Sequence, residues 1–198
     1  MAEERRFLFF MSIIIFGTAV AGFGSDIFVR HAWFTDFPWQ VHFHAVVFTS
    51  WASLYVIQNW LVVDGHNIML HRRLGWFGAG IATIMVPLGI AATLMAVARG
   101  GIAGIFPPGF FLAMDILGIL GFAGLTFAAI RLRNYPGWHK RLMLCGTVLV
   151  IAPGMGRLMG MLPLDGLAPF AMFVAIMTYI LIGIVFDLVA IRRIHPAY

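Results

Sequence analysis

Six mostly apolar stretches, each about as long as a membrane span of ~20 residues, run through this chain at roughly 7–24, 39–63, 74–98, 109–130, 142–162 and 168–190. In lipid no water is at hand to bond a free N–H or C=O, so each stretch is expected to satisfy its backbone internally, as an α-helix. The implied fold class is all-α, a polytopic membrane bundle of six transmembrane helices forming a single unit over 1–198. Composition agrees: 62% of residues are hydrophobic and 11% charged, against about 25% charged in an ordinary soluble domain. Pro87 and Pro153 fall inside stretches and are expected to kink their helices. Cys145 is the one cysteine, which excludes a disulfide within the chain.

The net charge of +5 does not point to nucleic acid, because the basic residues sit in pairs beside apolar stretches rather than on a solvated face. They read instead as orientation signals. With the amino terminus inside, Arg5, Arg6, Arg72, Arg73, Arg131, Arg133, Lys140, Arg141, Arg192 and Arg193 all fall on the cytoplasmic side, ten of the thirteen Lys and Arg residues. Arg30 and Arg99 fall outside, and Arg157 near the outer end of the fifth stretch. The expected localisation is a bacterial inner membrane, multi-pass, with both termini cytoplasmic. Trp33 and Trp39 would mark the outer boundary, and Trp60, Trp76 and Trp138 the inner one.

A weak internal repeat is visible. His71-Arg72-Arg73-Leu74 opens the third stretch, and His139-Lys140-Arg141-Leu142 opens the fifth 68 residues later; Pro87 and Pro153 follow these histidines by 16 and 14 residues. Helices two and three thus look like a copy of helices four and five, running parallel because both motifs fall on one side. These motifs, with His42-Phe43-His44-Ala45, Trp51, Gln58, Gly75, Met143 and Arg157, resemble an uncharacterised family of small bacterial polytopic membrane proteins, a domain of unknown function. The resemblance covers helices two to five; it implies a membrane bundle and supplies no chemistry. The chain also looks distantly like the b-type cytochrome bundles. Those carry paired histidines within the membrane, whereas here one clear histidine, His44, lies inside a stretch.

An ionised side chain at mid-bilayer costs about 2.5–3.5 kcal/mol even on the lenient insertion scale, so polar residues deep in the stretches are candidates for function. Counting helical rise, His44, Asp115 and Arg157 lie about 7, 10 and 6 Å below the outer boundary, on three different helices. His44, Trp51, Tyr55 and Gln58 share one face of the second helix. The leading expectation is therefore a small polar cavity toward the periplasmic side that binds a small or amphipathic ligand, a quinone or a lipid. His44, Asp115 and Arg157 would orient its polar head, and Trp51 and Tyr55 would flank its apolar part. An Asp115–Arg157 pair that merely fixes helix register is the bland alternative.

Two other readings stay open. His71 and His139 could be the axial ligands of a haem b in an electron-transfer protein, with Arg72, Arg73, Lys140 and Arg141 meeting the propionates; as a plain alternative, those groups contact lipid head groups. The chain could also be an accessory subunit of a larger membrane complex. His31, His42, His66 and His195 are given no role, and no metal site is expected. No phosphate loop, nucleophile elbow or His-Glu-x-x-His motif occurs, so the chain reads as non-catalytic.

Overall fold

A computed structural model describes residues 2–28, 37–65, 67–100, 106–164 and 166–198. The described residues form seven α-helices and no strand: α1 (Ala2–Phe28), α2 (Trp39–Val62), α3 (Ile68–Ala98), α4 (Pro108–Arg131), α5 (Pro136–Val150), α6 (Ala152–Met159) and α7 (Ala168–Ala190), with a 3-10 turn at Val63–Gly65. Five helices are long and apolar enough to cross a membrane, and α5 with α6, bent by 47° at their break, make up to six if the pair is one span.

The expected stretches are all present, and their polar ends continue them. α1 begins at Ala2 and takes in Glu3 and Glu4 in its first turn, where carboxylates favour the helix dipole. α3 starts at Ile68 rather than 74, because the Asn67 side chain accepts from the Leu70 amide at 2.9 Å and caps it. The two internal prolines behave differently. Pro87 is carried within one continuous helix of 31 residues, whereas Pro153 sits at the start of α6, where the fifth apolar stretch breaks. Pro153 has no amide to donate to Leu149, and Gly154 and Gly156 follow it directly, so the helix restarts at a new angle.

Helix α1 packs on α2, α5 and α6; α2, α3, α4 and α5 pack in sequence; and α7 lies against α5 and α6. Two apolar cores result. One joins Met11 and Ile15 of α1, Tyr55 of α2, Leu144 and Val148 of α5, and Tyr179 of α7. The other joins Trp51 and Leu54 of α2, Met85 of α3, and Ile119 and Phe122 of α4. Met143 packs against both, and against a third cluster of Ala129, Leu142 and Ala197. The tightest crossing joins α1 and α6, where a Cβ at Gly22 would overlap the Gly154 backbone, the close approach that small residues permit between membrane helices.

The two termini meet at one end of the bundle. Arg5 donates to the Val62 carbonyl at 3.3 Å, and the segment after α7 folds back until Ala197 is buried. Arg192 takes a φ of 57° to make that turn.

Candidate histidine site

Just inside this terminal end, His71 in the first turns of α3 and His139 in the first turn of α5 face each other. Pro136 at the first position of α5, where a missing amide costs nothing, fixes where that helix begins. The ring centroids are 6.4 Å apart and the ring planes nearly perpendicular, at 88°. His139 Nδ1 lies 2.9 Å from the Ala129 carbonyl of α4. An Nδ1–H donated there makes Nε2 the nitrogen with a lone pair to give, the arrangement usual for a metal-bound imidazole.

Across the gap, α2 approaches His71. A Cβ at Gly75, one turn beyond His71, would stand 3.7 Å from Gln58 Nε2, so the Gln58 amide lies over this part of α3. His71 Nδ1 and Gln58 Oε1 are both buried and both lack a hydrogen-bond partner. Each of the four helices α2 to α5 thus supplies one element of the site: Gln58, His71, the Ala129 carbonyl and His139. Arg72 and Arg73 are exposed beside it, and Arg133 lies over the Trp76 ring at 5.8 Å.

The other expected cations are already engaged. Arg141 is only 2% exposed and Asp187 of α7 only 1%. Arg141 Nε and Nη2 donate to the two Asp187 oxygens at 2.9 and 2.5 Å, a second bond from Nη2 reaches Glu4 at 2.8 Å, and Nη1 reaches the Gly137 carbonyl at 3.0 Å. Lys140 pairs with the other Glu4 oxygen at 2.5 Å. The expectation that Arg141 meets lipid or a propionate is therefore corrected: its guanidinium clasps α1 and α7 to α5. The tail closes over this clasp. The His195 amide donates to Asp187 at 3.2 Å, the His195 ring stands edge-on to Trp138 at 5.3 Å, and Arg141 lies 5.7 Å from the Tyr198 ring. Partial burial, and then the Arg141 charge, lower the His195 pKa. Burial raises that of Tyr198, and Asp187 adds to the effect.

At the opposite end, the residues expected to form a polar cavity make contacts other than those anticipated. Asp115 accepts from Thr93 Oγ1 at 3.3 Å. Arg157 donates to the Pro153 carbonyl at 2.9 Å, and its guanidinium lies 4.4 Å from the Phe23 ring centre. No direct Asp115–Arg157 ion pair occurs among the described residues. His44 packs on Phe48 at 4.1 Å. Trp51 and Tyr55 fall into different cores, Trp51 edge-on to Phe122 at 5.0 Å and Tyr55 in the cluster with Leu144. A groove of about 620 Å³ lies elsewhere, between Ala45, Thr49, Ser53 and Ile57 of α2 and Leu74 and Phe77 of α3, and none of the five candidates lines it. Arg30, His31, Trp33 and His66 lie outside the described residues.

Two features escaped the sequence reading. Asp187 carried a signal, a carboxylate inside the run Val185-Phe186-Asp187-Leu188, but its place near the end of a span hid its need for a buried partner. Gln58 was read only as one member of a helix face. No family model, curated protein or solved structure matches this chain. The resemblance carried by the histidine motifs therefore identifies no family, and the chain stands as a helical polytopic membrane protein.

Proposed function

We propose that this protein binds a b-type haem through His71 and His139 and carries electrons at the membrane. The observation that carries the reading is the 6.4 Å between ring centroids. Two imidazoles this close, each from a different helix, are placed so that both could hold one iron. The donor set would suit the group: His139, anchored through Nδ1, and His71 would hold the iron, and the exposed Arg72 and Arg73 would meet the propionates. Arg141 is not part of this set, since Asp187 and Glu4 occupy it. When bound, haem iron supplies one-electron oxidation and reduction; the chain supplies axial ligands, burial and basic side chains. The excess of basic residues at this end favours placing it, with both termini, on the cytoplasmic side of a bacterial inner membrane.

The test is the visible spectrum of the purified chain produced with haem available. The wild type should show an intense Soret band with low-spin character, and His71→Ala and His139→Ala should each lose it while staying inserted. A colourless wild type that takes up no added hemin would overturn the reading. The far end supports a second reading, a site for an amphipathic molecule such as a quinone at His44, Asp115 and Arg157. What favours it is that all three are only partly buried and that Asp115 keeps a polar contact with Thr93 inside the span.

A further inference from the structure

We infer that the tail after α7 is a strap that positions His139, with Ala197 and Tyr198 as positioning residues of the histidine site; its chemistry rests on the haem reading above, its geometry does not. The bond that anchors His139 is made at the end of a helix. Ala129 lies in the last turn of α4, and its carbonyl is open to His139 Nδ1 because the Arg133 amide bonds Ile130 instead. Carbonyls of a last turn lack intrahelical partners, and such turns fray. This acceptor therefore stays in place only while something holds the turn down. Ala197 does so: it is buried in one cluster with Ala129 and with Leu142 of α5, and it bridges the two helices whose relative position sets the bond.

Two glycines seat the strap. A Cβ at Gly137, in the first turn of α5, would stand 2.9 Å from His195 Nε2, and a Cβ at Gly183 of α7 would stand 2.5 Å from the Tyr198 hydroxyl and 2.9 Å from its ring carbon Cζ. Each ring thus lies in a notch that exists because the helix carries no side chain there. Between the notches His195 Nδ1 accepts from the Ala197 amide at 3.1 Å, and the Tyr198 amide donates to the His195 carbonyl at 3.2 Å. These bonds make the tail one turn that rests on α4, α5 and α7 together. A change on α7 can release it without altering any residue of the histidine site.

The experiment is hemin titration of the purified wild type, Gly183→Ala, Tyr198→Ala and Tyr198→Phe, beside a chain shortened to end at Arg193. Hydrogen exchange at the Ala197 amide reports whether the tail is docked. Alanine at position 183 favours the helix itself, so that variant folds. Gly183→Ala, Tyr198→Ala and the shortened chain should bind hemin about tenfold more weakly, the low end of what losing a ligand's outer partner costs. Part of their spectrum should also move from low to high spin as His139 lets go. Tyr198→Phe keeps the ring in its notch and should match the wild type. A released tail with wild-type affinity and spin state overturns the inference, and if the tail stays docked in Gly183→Ala, the shortened chain decides. A wild type that binds no hemin sinks the haem reading alone, and the strap is then judged in the hemin-free chain by 15N chemical shifts of His139. A fixed Nδ1–H tautomer that becomes mixed when the tail is released supports the strap, and an unchanged tautomer refutes it.

Discussion

Replacing Asp187 by Asn removes one charge from the most buried ionic cluster among the described residues while keeping the side chain's shape. Arg141 loses its bidentate partner but retains Glu4 and the Gly137 carbonyl. Breaking a buried pair from one side costs about 3–5 kcal/mol, and the surviving Glu4 contact places the loss at the lower end, about 3 kcal/mol. At about 2–4 °C per kcal/mol for a chain of this size, the melting temperature in detergent should fall on the order of 10 °C. The double variant Arg141→Met with Asp187→Leu should recover most of that loss. The charge on each side is then gone, Glu4 stays paired with Lys140, and the new side chains join Phe7, Leu8 and Phe186, which already line this space. The assay is a double-mutant cycle on thermal unfolding of the wild type, Arg141→Met, Asp187→Leu and their double variant in one detergent, with Asp187→Asn measured beside them. Strictly additive losses, or an Asp187→Asn variant within a degree or two of the wild type, would refute the claim that the two residues form one buried unit.

The tail should loosen in acid. Because His195 has a folded-state pKa below the ordinary 6.5, the unfolded chain binds more protons, so the docked tail is fully stabilised above about pH 6.5 and loses that contribution as pH falls through the lower folded value. Hydrogen exchange at the His195 and Ala197 amides should accelerate between pH 7 and pH 5 after correction for intrinsic rates, and His195→Ala should flatten the profile; a pH-independent profile in the wild type counts against it. At the far end, Thr93→Val and Asp115→Asn should couple in a stability cycle by about 0.5–1.5 kcal/mol, the worth of one hydrogen bond. Asp115→Asn and Arg157→Gln should couple less, since those two side chains touch other partners; a larger coupling between Asp115 and Arg157 would reverse that assignment.

Helix number and position were legible because lipid makes length and hydropathy nearly sufficient: a span must bond its own backbone, so an apolar run of the right length has one outcome. The ends were less legible. Apolar runs stop where water begins, but α1 and α3 continue through Glu4 and Arg72 because capping and the helix dipole, not burial, decide where they start. Side-chain direction was the least legible. Helical rise put His44, Asp115 and Arg157 at similar depth. Depth alone does not say that Arg157 turns back onto Pro153 while Asp115 bonds Thr93. The repeat spacing brought His71 and His139 forward as a pair; Gln58 and the Ala129 carbonyl depend on how α2 and α4 pack, and no spacing reports that.

The same rule explains why Arg141 was misread and what it does for the site. His139 and Arg141 are two residues apart on one helix, so they point about 200° away from each other. If one faces into the four-helix core, the other must face α1 and α7. On that outer side a lone guanidinium would be stranded in an apolar setting, and Asp187 and Glu4 are there to receive it. The first turn of α5 has no side-chain cap of its own, so its rotation about the helix axis is set by tertiary bonds. The Ala129 carbonyl holds one face through His139, and Asp187 holds the opposite face through Arg141. Clasp and histidine site are thereby mechanically one: turning α5 enough to break either set of bonds also swings His139 away from His71.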